Sequence, residues 1–251
     1  MNLIPAFFQR RVWILSRDWL SELALFLFLP VILYLGIVVS LGGLVAPVLE
    51  AESFQVWVVP GIVFEVILVS AYFPLFVDVF QNRKVLSSFD SVSGSPNSSL
   101  SIVVAVIVSQ LPDVILKGLI AAVIVQLLAG TMFSLLPFLG FLILAAILGF
   151  LVLNLALTIS LITQRPFSHL FVAFVLLTFL TLSSGWIVPL EVYPLTVRPF
   201  FAALPTAMIA EGARALVFRK EIALLTWIIP LGVGLVWTLI NASIFAKVSI
   251  Q

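Results

Sequence analysis

The chain has 251 residues, of which 63% are hydrophobic and 9% charged, and its mean hydropathy is +1.31. A soluble globular domain carries about 25% charge, so this composition excludes that class and predicts an all-α polytopic membrane protein. The net charge of +1 without a basic stripe excludes a nucleic-acid partner. The lack of cysteine excludes disulfides, thiolate chemistry and Cys-ligated metals, and the single histidine, His169, leaves no imidazole cluster.

Residues 5 to 20 form an amphipathic stretch, with Phe8, Val12, Leu15 and Trp19 on one side and Arg10, Arg17 and Asp18 elsewhere on the wheel. That pattern predicts a helix lying in the membrane interface over 1–21, with a plain lead-in to the first span as the alternative. Arg10, Arg11, Arg17 and Asp18 break up what would have to be the apolar core of a signal peptide, so the stretch is expected to stay in the mature protein.

A membrane helix needs about 20 mostly apolar residues to cross a hydrocarbon core of about 30 Å. Six segments meet that requirement, at about 22–43, 57–80, 107–129, 136–161, 168–188 and 222–245. The third can begin earlier, because SLSIVVAVIVSQLP is itself apolar and can run into it as one long helix or one kinked at Pro112. Trp57, Trp186, Trp227 and Tyr193 fall near the predicted boundaries, where an interfacial aromatic belt would put them.

Charges inside spans are costly and therefore informative. Glu65 lies two turns into the second span and Asp78 near its end, while Asp113 and Lys117 sit one helical turn apart in the third and can neutralise each other. Glu65 reads as a packed, hydrogen-bonded carboxyl or as a contact for substrate or ion.

The stretch VFQNRKVLSSFDSVSGSPNSS at 79–99 is the longest polar segment. It places Val85, Leu86 and Phe89 at helical spacing behind Arg83 and Lys84 and closes on Ser, Gly, Pro and Asn, which predicts a short amphipathic helix across one mouth of the bundle. A cytosolic partner docking there explains an apolar face that a plain connector does not need.

Residues 183–205, SSGWIVPLEVYPLTVRPFFAALP, carry prolines at 189, 194, 199 and 205. They are too apolar for an ordinary loop and too proline-rich for a membrane helix. We expect the fifth span to end at Gly185 and the chain to re-enter the outer leaflet as short broken helices over 189–221, with Arg198 and Arg214 pairing with Glu191 and Glu211. An exposed apolar loop is the alternative.

Arg10, Arg11, Arg17, Arg83, Lys84, Arg165 and Lys247 all fall on one side of this topology, which makes both termini cytoplasmic. The segment 189–221 runs against that rule with Arg198, Arg214, Arg219 and Lys220, offset by Glu191, Glu211 and Glu221. No nucleophile with a base, no carboxylate pair and no phosphate-binding Gly-rich loop is visible. If ATP drives the protein, another polypeptide binds it.

Four stretches together resemble the ABC-2 type permeases, the membrane subunits of ABC exporters, over nearly the whole chain. "RDWLSELALFLFLPVILYLGIVVSLGG" resembles the family's interfacial helix and first span, and "FQVWVVPGIVFEVILVSAYF" the start of its second. "VFQNRKVLSSFDSVSGSPNSSL" resembles its coupling segment. "LSSGWIVPLEVYPLTVRPFFAALPTAMIAEGARALVF" resembles the broken segment before its last span, closest to the branch with drug-resistance and nodulation lipo-oligosaccharide exporters. Trp186-Ile187 stands where that family often has a bulkier or Phe-containing patch, and Tyr193 precedes the second proline in place of the commoner Leu.

The resemblance implies a single transmembrane domain in a bacterial or archaeal cell membrane, paired with a second permease copy or a similar subunit and powered by two cytosolic ATPases. Those partners would bind ATP and Mg; no cofactor is expected on this chain. Gln81, Asn82, Arg83, Lys84, Phe89 and Asp90 would couple to the ATPase. Trp186, Pro189, Glu191, Tyr193, Pro194, Arg198, Glu211 and Arg214 would form an outer gate, over a route for a lipid, glycolipid or hydrophobic small molecule. Two other classes stay open: an ion- or proton-coupled carrier using Glu65, and a membrane enzyme acting on lipid.

Overall fold

A computed structural model of the chain describes residues 3–17, 19–45, 53–81, 97–163, 165–219 and 224–248, which are helices and connecting turns with no strand among them. The amphipathic lead-in is helix α1, Leu3–Arg17. It is followed by α2 (Trp19–Val45), the single turn α3 (Phe54–Trp57), α4 (Val59–Phe80), α5 (Ser99–Ala129) and α6 (Leu135–Ile162). Beyond these come α7 (Pro166–Ser183), a 3-10 turn at Leu190–Val192, α8 (Arg198–Ala202), α9 (Pro205–Arg214), a π-helical turn at Ala215–Arg219 and α10 (Leu225–Val248).

Five of these helical stretches are long and apolar enough to cross a bilayer: Trp19–Gly42, Phe54–Phe80, Ser99–Ala129, Leu135–Ile162 and Leu225–Val248. The chain is in this respect consistent with a multi-pass membrane protein. The third expected span is the long version: Pro112 sits inside one continuous helix of 31 residues, about 46 Å at 1.5 Å per residue. Ser98 caps it, its hydroxyl accepting from the Ser101 N–H at 3.2 Å, and Gly130 ends it in the left-handed conformation. The segment expected at 168–188 is shorter than the others. Helix α7 stops at Ser183, because Gly185 adopts a φ of +69° that turns the chain out of the helix.

Helix α4 is the centre of the bundle. Fifteen of its 22 residues are buried, and it packs on α5 and α6. Phe64, Ile67, Leu68, Tyr72 and Leu75 fill the space against Ile107, Val114, Phe141, Leu144 and Leu148. The small residues Ser70, Ala71, Ala121, Ala122 and Ala145 keep these helices close, as van der Waals packing between apolar helices requires. Helices α1 and α2 lie against α5, and α10 lies against α6 and α5.

One polar network crosses the otherwise apolar α6–α10 contact. Asn241 donates through Nδ2 to the Asn154 carbonyl and to Asn154 Oδ1, both at 3.0 Å, and Thr238 donates to Asn154 Oδ1 at 3.1 Å. Thr158 donates to Asn241 Oδ1 at 2.6 Å and accepts from Trp237 Nε1 at 2.8 Å. Asn154 and Asn241 are fully buried, so every lost partner leaves a polar atom in apolar surroundings. Asn241→Leu is expected to cost about 1–3 kcal/mol, read as a lowered melting temperature of the detergent-solubilised chain. Ser243→Ala, on the exposed side of the same helix, is expected to leave the melting temperature unchanged.

Candidate functional site

Polar groups collect at both ends of α4, about 26 Å apart from Gly61 to Asp78 at 1.5 Å per residue. At the Asp78 end, α1 supplies two adjacent arginines. Neighbours on a helix point about 100° apart, so Arg10 and Arg11 reach different helices. Arg10 pairs with Asp78 on the last turn of α4, and Arg11 donates to Asp113 Oδ2 on α5 at 2.6 Å. Lys117 donates to the same oxygen at 2.7 Å and to Glu22 Oε2 at 3.1 Å, with its ammonium 4.0 Å from the centre of the Phe26 ring. The expected Asp113–Lys117 pair is therefore present as part of a larger cluster. Arg11, Asp113 and Lys117 are each less than 9% exposed.

Arg10, Arg11, Glu22, Asp78 and Lys117 of this cluster line a cavity of about 610 Å³ between α1, α2, α4 and α5, with Asp113 behind them. Its apolar wall includes Leu25, Phe26, Val69, Phe73 and Val77, and Gln81 lies at its edge. Of the expected coupling residues only Gln81 is described; Asn82, Arg83, Lys84, Phe89 and Asp90 lie outside the described residues.

Glu65 stands between the two ends. Both of its carboxylate oxygens lie within hydrogen-bond distance of the Thr181 hydroxyl of α7, at 3.0 and 2.9 Å, and Glu65 and Thr181 line a cavity of about 450 Å³ with Phe73, Leu170, Phe174 and Leu177.

At the far end, Trp186 is fully buried against Phe64, and its Nε1 donates to the Thr206 carbonyl at 3.3 Å. A Cβ on Gly61 would stand 2.0 Å from the Trp186 carbonyl oxygen, so only glycine permits this approach. Trp57 is buried as well, its ring 3.8 Å beneath the Arg214 guanidinium. The two tryptophans thus pack inside the bundle and do not serve as the expected interfacial belt, because their rings fill the junction between α3, α4 and the broken segment.

Arg198 donates to Glu191 at 3.0 Å, the expected pair, across an exposed surface. Arg214 differs from expectation. It donates to the carbonyl oxygens of Gly185 and, at 3.0 Å, Trp186, while Glu211 stays exposed on the outer side of α9. Burial pulls the Arg214 guanidinium below its usual pKa, and the charges of Glu191 and Glu211 oppose that pull. The physical reason for its position is that the helix end at Ser183 frees carbonyls that need donors in an apolar place. Tyr193 donates to the Leu182 carbonyl at 3.0 Å for the same reason, and the Pro194 carbonyl accepts from the Val197 and Arg198 N–H groups. Pro189 caps the 3-10 turn.

Sequence reasoning missed Arg10, Arg11 and Glu22 as partners of the intramembrane charges, and Thr181, Gly61, Trp57 and Thr206. The signal for the first two was present in the adjacent arginines of an amphipathic helix. Among the described residues, no group of three His, Asp or Glu side chains is gathered to hold a metal.

Asp113→Asn would leave Arg11 and Lys117 buried without their shared anion, a loss of about 3–5 kcal/mol. Glu22→Gln, at a partly exposed pair, should cost no more than about 1 kcal/mol. Thermal melting of both variants in one detergent checks this order.

Comparison with protein families and with curated proteins gives no match for this chain.

Proposed function

We propose that the chain is the permease subunit of an ATP-driven exporter of the ABC-2 type. In this reading α7 is the fifth of six spans, 189–221 is a re-entrant outer cap, and both termini are cytoplasmic in a bacterial or archaeal cell membrane. The observation that carries the reading is the fastening of α1 to the end of α4 through Arg10 and Asp78, and to α5 through Arg11 and Asp113. Asp78 lies three residues before Gln81, where the polar coupling segment begins. A force applied to that segment by a docked ATPase therefore reaches α1 and α5 through charged contacts that resist separation.

Two copies of the permease and two ATPases would form the working complex, with ATP and Mg held by the ATPases and the substrate passing between the permeases. The substrate class in this reading is a lipid, glycolipid or hydrophobic small molecule. A near-complete switch between inward and outward states needs a bias of about 5.5 kcal/mol, which closure of the ATPase pair would supply. At the outer end, Arg214 and Tyr193 cap the carbonyls of the broken helix, which lets an irregular backbone sit at membrane depth.

Co-expression with a candidate ATPase is expected to yield a stable complex with ATPase activity. Reversing the charges of Arg83 and Lys84 and replacing Phe89 with Ala is expected to dissociate it; a complex and activity unchanged by these substitutions would overturn the docking assignment. A second reading, an ion- or proton-coupled carrier, is favoured by the Glu65–Thr181 contact beside a cavity. Transport that persists without ATP and collapses in Glu65→Gln would select it.

A further inference from the structure

We propose that the cavity between α1, α2, α4 and α5 binds one amphipath with a monoanionic phosphodiester headgroup, a membrane phospholipid drawn from the leaflet in which α1 lies. The cavity's volume of about 610 Å³ falls within the usual range for small-ligand sites, roughly 300–1,000 Å³. Its two walls differ in chemistry. Leu25, Phe26, Leu29, Val69, Phe73 and Val77 make one side apolar, whereas Arg10, Arg11, Arg17 and Lys117 bring cations to the other.

The charge count selects the ligand. Arg10, Arg11, Arg17 and Lys117 are four cations; Glu22, Asp78 and the Asp113 that bridges Arg11 and Lys117 are three anions. Among the described residues one positive charge is left over; Asp18, beside Arg17 in the chain, lies outside them. That charge resides on Arg17, which lines the cavity and has no ion-pair partner among the described residues. Arg17 is an exposed lining residue, so an anion entering the cavity meets an unpaired guanidinium beside apolar surface. A phosphodiester supplies one negative charge and oxygens suited to guanidinium groups, and its acyl chains match the apolar wall. A zwitterionic headgroup would bring a quaternary ammonium into a wall already cationic, and a water-soluble anion would leave the apolar wall bare.

Access is consistent with a ligand arriving sideways from lipid. Leu25 and Val77 are exposed at 48% and 44%, so the apolar wall reaches the outer surface of the bundle. The proposed orientation of the exporter makes this the cytoplasmic leaflet, and only the name of the leaflet rests on that reading.

The test uses the full chain purified in detergent, with phosphatidylglycerol or phosphatidylcholine of identical acyl chains added and bound lipid counted by native mass spectrometry. One phosphatidylglycerol is expected to be retained at a concentration about fivefold or more below that needed for phosphatidylcholine. Arg17→Gln should weaken phosphatidylglycerol about fivefold, the effect of one cation beside an anionic lipid, while leaving phosphatidylcholine unchanged. Val77→Trp, which narrows the entrance, should abolish the single tight adduct. Both substitutions are at exposed positions, and an unchanged melting temperature verifies that the fold is kept. Equal retention of the two lipids by the native chain would overturn the proposal, as would variants that hold phosphatidylglycerol as the native chain does. Displacement of the lipid by equal concentrations of chainless glycerophosphoglycerol would show a free-anion site and overturn it as well. Failure of lipid selection with ATPase docking intact counts against this inference alone, and lost docking with lipid selection intact counts against the exporter reading alone.

Discussion

Asp113 accepts from Arg11 and Lys117 where all three side chains are nearly buried, and the placing of α1 against α5 follows from that contact. Measured back from Ala129, Asp113 lies 16 residues along α5, about 24 Å, which puts the cluster well inside a helix of membrane-crossing length. A charge at that depth is tolerated only when paired. Lys117 already has Asp113 one turn away, but a single carboxylate facing two cations needs help, and Glu22 provides it from α2. Helix α1 is thereby tied to the bundle by charge as well as by apolar packing: Leu3 and Phe7 pack against the core and Arg11 is 5% exposed, while Trp13, Val12 and Phe8 remain exposed.

The other end of the molecule meets the same constraint with backbone groups in place of side-chain charges. When Gly185 takes the chain out of α7, the Leu182 carbonyl loses its helical partner, and those of Gly185 and Trp186 lie beyond the helix. Tyr193 and Arg214 donate to them, and Arg214 further stacks on Trp57. Proline is used here because it removes donors that would also need partners. The segment's mixture of apolar residues, prolines and a buried cation is thus one solution to placing irregular chain against an apolar core.

Hydropathy carried most of the fold: the long apolar helices lie where runs of about 20 such residues require them, and local signals such as Ser98, Gly130 and Gly185 mark real ends. Contacts at short sequence separation were equally legible, since Asp113–Lys117 is an i,i+4 pair and Glu191–Arg198 spans one short turn. What could not be read were partners set by three-dimensional packing. Arg11 and Asp113 are 102 positions apart, and nothing local to either names the other. Arg214 had a nearby carboxylate in Glu211 and still turned inward, because the demand of unpaired carbonyls is a property of the broken helix end and is invisible from α9 alone. Trp57 and Trp186 looked interfacial by position; the burial of Trp186 depends on Gly61 allowing its carbonyl to approach, and Trp57 packs with Phe54 and Tyr34.

Helix α4 joins these two ends, and its own construction is uneven. From Gly61 through Tyr72 it is almost wholly buried between α5 and α6, whereas Phe73, Pro74, Val77 and Asp78 are more open and border the charged cavity. Pro74 has no N–H to offer the Ser70 carbonyl, so the helical ladder lacks one rung at the point where burial begins to fall. Ser70 also turns its hydroxyl back to the Val66 carbonyl at 2.5 Å, a contact that favours bending of a helix. The part of α4 that carries Glu65 and touches Trp186 is therefore held by packing, and the part that carries Asp78 adds a pairing with Arg10 to the burial of Leu75, Phe76 and Val79. Close packing along its length and a charge pair added at one end give this helix two kinds of anchorage, with a missing backbone rung at Pro74 between Glu65 and Asp78.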